Sequence, residues 1–295
     1  MPAETEYSIP GNGLCCNNCR FFALKPSCRY HDGMDYLQIV AGFVTGSLVG
    51  LTGVGGGALM TPLLLLVFGT APMTAVGTDL WFAALTKIAA TRIHNNHGLI
   101  DWGVVRRLWA GSLPASAAAL VWLHFHPMDS HTLDGLKLVI AGAVVFTALG
   151  ILLQRRLHEA GKRLRIAQSD KFKSAQGPAT VLAGAIIGLL VTFTSVGAGA
   201  LGAVFLAYLY PLRLTPPRLI ASDIVHAVPL AMFAGFGHLL IGHVDFRLLG
   251  TLLLGSVPGV MVGAVLSSRL PHGVLRTALA VVLTLVGLKL WWSVA

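Results

Sequence analysis

Few ionisable residues interrupt the apolar runs of this sequence, and those that do could exchange protons or hold an anion. Asp79 and Asp223 lie near the starts of two such runs, Lys87 lies two helical turns beyond Asp79, and His94 and His238 close the same two runs. Charge at depth in a bilayer is costly and normally faces a cavity or an opposite charge. Lys87 could therefore hold an anionic substrate or neutralise Asp79. The aspartates fit either proton exchange or helix N-capping near an interface. Histidine titrates near neutral pH, which suits His94 and His238 to proton relay, although an interfacial histidine needs no such role. Asp101 and Asp245 each precede an aromatic residue that opens a new apolar run, and they read as N-caps.

Glycine supplies the second chemical signal. Thr52-Gly53-Val54-Gly55-Gly56-Gly57-Ala58-Leu59 returns 142 positions later as Thr194-Ser195-Val196-Gly197-Ala198-Gly199-Ala200-Leu201. The echo continues at a shift of 144: Thr78-Asp79 becomes Ser222-Asp223, His94 becomes His238, Asp101 becomes Asp245, and Gly111-Ser112-Leu113-Pro114 becomes Gly255-Ser256-Val257-Pro258. Chance does not preserve that order of polar and Gly/Pro landmarks, so the chain is an internal duplication. A Gly-rich break ahead of a short helix exposes unpaired backbone N–H groups and the positive end of a helix dipole, and both attract anions. Thr52, Gly53, Gly55, Gly56 and Gly57 in the first half, with Thr194, Ser195, Gly197 and Gly199 in the second, are the candidate substrate contacts, together with Lys87. Small residues also serve close helix packing. A matched pair of breaks, each followed by a truncated apolar run, favours a central transport site over packing alone. The repeat equivalent of Lys87 is Ala231, so any lysine site is one-sided.

The elements that must position these residues are membrane helices. Of 295 residues, 55% are hydrophobic and only 11% are charged, with a mean hydropathy of +0.75. Soluble domains carry about 25% charged residues. The long apolar runs lack the two-residue alternation of barrel strands, so the reading is an all-α, polytopic, multi-pass membrane protein. The net charge of +9 belongs with the basic flanks of membrane spans rather than with a nucleic-acid partner. Residues 1–33 form a polar tail, 34–154 a first membrane repeat, 155–176 a basic linker and 177–295 a second repeat. Each repeat holds five apolar pieces, the second too short to cross about 30 Å of hydrocarbon comfortably. Parallel and inverted repeats are both possible. With the linker cytoplasmic and every piece counted, Arg92, Arg106, Arg107, Arg213, Arg218, Arg269 and Arg276 all fall inside, which favours inverted repeats, although Arg247 fits poorly.

Cys15, Cys16, Cys19 and Cys28, with His31, could close a tetrahedral zinc site in the tail. The tail has little apolar content, and Met34 could be the natural start. A disordered or incidental tail is the simpler account, so neither metal nor cofactor is expected. The sequence contains no HExxH, no haem-attachment Cys-x-x-Cys-His and no paired nucleophile and base. An enzyme is not expected.

Gly53-Val-Gly-Gly-Gly-Ala-Leu-Met-Thr-Pro62, Ala75-Val-Gly-Thr-Asp79, Thr86-Lys87, His94, Gly98-Leu-Ile-Asp-Trp102 and Gly111-Ser-Leu-Pro114 together resemble the sulfite exporter TauE/SafE family, also called the 4-toluene sulfonate uptake permease family. The resemblance spans residues from about 36 to 292. It implies a secondary transporter of the inner (cytoplasmic) membrane, with sulfite, sulfoacetate or a related sulfur-containing anion as substrate and protons as the coupling ion. The cysteine tail departs from that pattern, as do Ser195 and Ala198, which stand where the first half has Gly53 and Gly56. The rivals are a membrane redox or metal-dependent protein using the cysteines, and a divalent metal transporter fed by them. The rivals predict bound metal or metal flux, whereas the glycine breaks favour anions.

Overall fold

A computed structural model of the chain describes residues 32–52, 57–93, 99–126, 130–167, 169–197, 199–267 and 272–293. Ten helices occupy them: α1 (Asp32–Thr52), α2 (Gly57–Leu66), α3 (Pro72–Ile93), α4 (Trp102–Phe125), α5 (Ser130–Ala167), α6 (Ser169–Thr194), α7 (Ala200–Leu209), α8 (Pro216–Ile241), α9 (Phe246–Ser267) and α10 (His272–Trp292). Among the described residues there is no strand. Five of these helices contain stretches long and apolar enough to cross a bilayer, at 102–125, 132–166, 174–194, 217–241 and 246–266. Leu254 and Val265 on α9 are each 69% exposed, as side chains against lipid tails would be. The basic stretch 155–176 is helical at its described residues. α5 continues through it to Ala167 and α6 begins at Ser169, because its Arg, Lys, Leu and Ala residues are good helix formers.

Packing pairs helices from opposite halves. α1 lies along α9 and α4 along α6. Gly42, Gly46 and Gly50 of α1 press on the backbone at Leu252, Ser256 and Val260 of α9, in rising order, so the two helices run parallel. Gly184 and Gly188 of α6 meet Leu108 and Ser112 of α4 in the same sense. Small residues every fourth position allow this backbone approach.

α3 and α8 cross antiparallel. The Asp245 amide, just past the end of α8, donates to the Thr78 hydroxyl near the start of α3. The Trp81 indole donates to the Gly235 carbonyl at 3.0 Å, and the Asp101 amide, beyond the end of α3, donates to the Ser222 hydroxyl near the start of α8. α7 runs parallel to α5, with Gln154 bonded to the Ala203 carbonyl and His158 to that of Ala207. It finishes beside the first turns of α6. Gln176 Nε2 donates to the Leu209 carbonyl at 2.6 Å, and the Thr180 and Tyr210 hydroxyls are 2.8 Å apart. The break at 195–199 therefore turns the chain back toward the side from which α6 came. The largest apolar core gathers Leu80 and Ala84 of α3, Ile140 and Val144 of α5, Leu230 of α8 and Leu283 of α10.

Candidate functional site

Asp79 and Asp223 are buried in the interiors of α3 and α8, beyond the first turn of each. Their location removes the N-cap alternative for both. Asp101 and Asp245 do cap helices: Asp101 Oδ1 accepts from the Val104 amide at the start of α4, and Asp245 Oδ1 accepts from the Leu248 amide at the start of α9.

Each buried aspartate leans on the short helix of its own half. Asp79 Oδ2 accepts from the Thr61 amide at 3.1 Å and from the Thr61 hydroxyl, both on α2. Asp223 Oδ1 lies against the backbone of α7 at Gly202, where any added Cβ would collide with it. The two carboxylates differ in their support. Asp79 gathers donors from α2, and the Ser195 hydroxyl of the opposite half acts on it as well. Oδ1 of Asp223, like Oδ1 of Asp79, is buried and takes no hydrogen bond. A buried acceptor left without a donor loses its hydration with no return.

Lys87 is buried in α3, within electrostatic range of both carboxylates. His226, one turn beyond Asp223 on α8, completes the group. Its Nε2 is 3.0 Å from the Ser112 hydroxyl, its Nδ1 is buried without a partner, and Lys87 acts on its charge. Pro229 breaks the α8 ladder close by, and the Trp109 indole donates to the His226 carbonyl at 3.2 Å. The sequence reading passed over His226 and Thr61. The repeat equivalent of His226 is Phe82, and a search for recurring polar landmarks has no signal there. Ser256, the equivalent of Ser112, is correspondingly buried with no hydrogen-bond partner.

The second glycine break closes α6 tightly. Ser195 follows Thr194 with φ of 56°, in the left-handed region, and Gly197 follows at 108°. The Thr194 hydroxyl accepts the Val196 amide at 3.1 Å and so shapes the turn itself. The Ser195 oxygen is buried and makes no hydrogen bond of good geometry, although it lies close enough to Asp79 to act on its charge. Gly199 caps α7 without any side-chain bond, which leaves the first amides of α7 with no side-chain acceptor from their cap. His238 is also buried and lies 2.9 Å from the Thr192 carbonyl, in the last turn of α6. That carbonyl is one of the four that a helix end leaves unpaired. His243, in the loop after α8, stacks obliquely on His238 at 5.7 Å, and partial burial holds its imidazole below the usual histidine range.

Thr52 ends α1 and Gly57 opens α2. Gly53, Gly55 and Gly56, His94, and Cys15, Cys16, Cys19 and Cys28 fall outside the described residues. Among the described residues, no cluster of three or more His, Cys, Asp or Glu could hold a metal ion.

Residues 38–290 match the family model described as "Sulfite exporter TauE/SafE". The chain is 35% identical over 262 residues to the probable membrane transporter protein YjnA of Bacillus subtilis (strain 168), covering 87% of this chain and 100% of that protein. It is 28% identical over 255 residues to the probable membrane transporter protein YdhB of the same organism, covering 86% and 99%. A third relative there, the probable membrane transporter protein YunE, is 23% identical over 272 residues, covering 86% and 96%. No solved structure gives a significant match.

Proposed function

Because the chain belongs to the sulfite exporter TauE/SafE family, we propose that this multi-pass membrane transporter moves sulfite, or a related sulfur-containing or organosulfonate anion, across the inner membrane in a proton-coupled cycle. The observation that carries this reading is the buried Lys87, within electrostatic range of the buried Asp223 and Asp79. A buried cation in range of two carboxylates suits a small oxyanion.

Lys87 supplies the positive charge. The amides at the start of α7, with Ser195, Gly197 and Gly199, offer hydrogen bonds to sulfonate-like oxygens, and Thr194 shapes that turn. Thr52, Gly53, Gly55, Gly56 and Gly57 are the matching contribution of the first repeat. Asp79 and Asp223 exchange protons with the two faces of the membrane. His94 and His238 serve proton movement at the segment ends, where His238 also fixes the last turn of α6. The repeats are read as inverted, which the antiparallel crossing of the equivalent helices α3 and α8 supports, as does the return of α7 toward the start of α6. The basic stretch 155–176 then faces the cytoplasm.

Purified protein in liposomes should take up labelled sulfite above the level of empty vesicles, and an imposed pH gradient should change the rate. Flux equal to empty vesicles, with and without the gradient, removes the proposal for that substrate.

A further inference from the structure

A cleft lies where four of the apolar stretches end together. Stretches 102–125, 174–194 and 217–241 start here, and stretch 132–166 finishes here. Side chains tie these ends to one another. Gln176 of α6 donates to the Leu209 carbonyl, and the Tyr210 hydroxyl lies 2.8 Å from that of Thr180. Arg107 of α4 donates to the same Tyr210 hydroxyl at 3.4 Å. Arg213, between α7 and α8, grips Asp101 ahead of α4 through Nε at 2.6 Å and Nη2 at 2.9 Å. That pairing uses one edge of the guanidinium and leaves Nη1 outside it. Arg165 stands half-buried in the last turn of α5. Arg165, Gln176, Tyr210, Pro211, Leu212 and Arg213 line a cavity of about 520 Å³, a volume suited to a small ligand or headgroup.

We infer that this cleft binds the headgroup of an anionic phospholipid, with Arg165 and Arg213 holding the phosphate oxygens and Leu212 lying against the lipid's apolar part. Guanidinium forks match phosphate oxygens in geometry and charge. Depth, surface and field favour a lipid over a soluble anion. The apolar stretch of α5 has 35 residues and so measures about 52 Å, against about 30 Å of hydrocarbon, which carries its basic end into the headgroup layer. Trp102, 51% exposed next to Asp101, belongs to a residue type that favours this layer. The lip of the cleft is apolar: Leu212 is 59% exposed, and Ile166, which follows Arg165, is 68% exposed. A soluble anion gains nothing from that surface, whereas a lipid covers it. Arg155, Arg156, Lys162 and Arg163 are exposed on the same end of α5 and draw anionic lipid toward it. None of these residues is among the proposed substrate contacts, so the inference stands whichever anion is transported.

The melting temperature of the full chain, delipidated in detergent micelles and titrated with single lipids, tests this. Phosphatidylglycerol should raise it by several degrees at a concentration where phosphatidylcholine raises it by less than about one degree. Arg165→Gln and Leu212→Glu should each weaken the apparent affinity for phosphatidylglycerol about 10-fold or more, the first by removing a fork and the second by placing a like charge beside the phosphate. Arg155→Gln removes a guanidinium that is 92% exposed on the same helix but outside the cleft, and should stay within about twofold of wild type. Inorganic phosphate should leave the melting temperature unchanged. Equal stabilisation by the two lipids overturns the inference, as does an undiminished response in both cleft variants. A loss in Arg155→Gln as large as theirs would reveal undirected attraction and overturn it too. Protection by inorganic phosphate equal to that by phosphatidylglycerol would make this a soluble-anion site, not a lipid site. If Arg165→Gln does not fold, Leu212→Glu, a change at an exposed position, decides.

Discussion

The backbone amide of Asp245 donates to the Thr78 hydroxyl across 3.1 Å. The same bond recurs in the other half, where the Asp101 amide donates to the Ser222 hydroxyl across 3.0 Å. In both, the third helix of one repeat receives the residue that caps the fourth helix of the other. Each cap amide is thus bonded across the crossing of α3 and α8.

Thr78→Val keeps the shape of the side chain and removes the acceptor. The Asp245 amide is partly buried, so its loss should cost about 1 kcal/mol. The drop should appear as a lower melting temperature in detergent, with sulfite affinity changed less than about twofold. Ser222→Ala should behave alike, and an unchanged melting temperature in both would show that water satisfies these amides.

Lys87→Ala leaves two buried carboxylates with less compensation. Removing one partner of a buried charged group typically costs about 3–5 kcal/mol. The single variant should thus be poorly folded, whereas Lys87→Ala combined with Asp223→Asn should recover much of that stability. The double variant should still bind sulfite at least 10-fold more weakly than wild type in a thermal-shift titration. Unchanged affinity there would clear Lys87 of anion binding.

Much of this architecture was legible from residue order. The two apolar runs that start near Asp79 and Asp223 appear as Pro72–Ile93 and Pro216–Ile241, because proline, glycine and aspartate punctuate apolar helices at their ends. The short second helices were visible for the same reason. The partnership of Lys87 was not. Along the sequence its natural neighbour is Asp79, two turns away on the same helix, and only the antiparallel crossing of α3 and α8 brings Asp223 within range as well. His226 was invisible because one duplicated half carries Phe82 in its place. The basic stretch 155–176 read as a linker because hydropathy reports solvation and says nothing of helix continuity.

The α1–α9 seam makes a sharper packing prediction. A Cβ at Gly46 would collide with the Ser256 carbonyl, whereas Gly142 in α5 has no neighbour within 4 Å of an added Cβ. Gly46→Ala must push two backbones apart and should cost about 1–3 kcal/mol. Gly142→Ala should be neutral or gain up to about 1 kcal/mol through helix propensity. Equal melting temperatures for the two variants would mean that α1 and α9 are not in close register.

Ser195 lets stability and function be separated. It follows the end of α6 with φ of 56°, a conformation that costs a side-chain-bearing residue about 1 kcal/mol relative to glycine. Its hydroxyl is also buried without a bond of good geometry, which adds to the cost. The first repeat carries Gly53 at the equivalent position. Ser195→Gly should therefore raise the melting temperature, while losing the hydroxyl that faces Asp79 should weaken sulfite binding several-fold. Ser195→Ala keeps the strained backbone and loses the same hydroxyl, so its affinity should fall equally with less gain in stability. If Ser195→Gly bound sulfite as tightly as wild type, the hydroxyl would have no part in holding the anion. If Ser195→Ala alone lost affinity, the methyl group rather than the missing oxygen would be responsible.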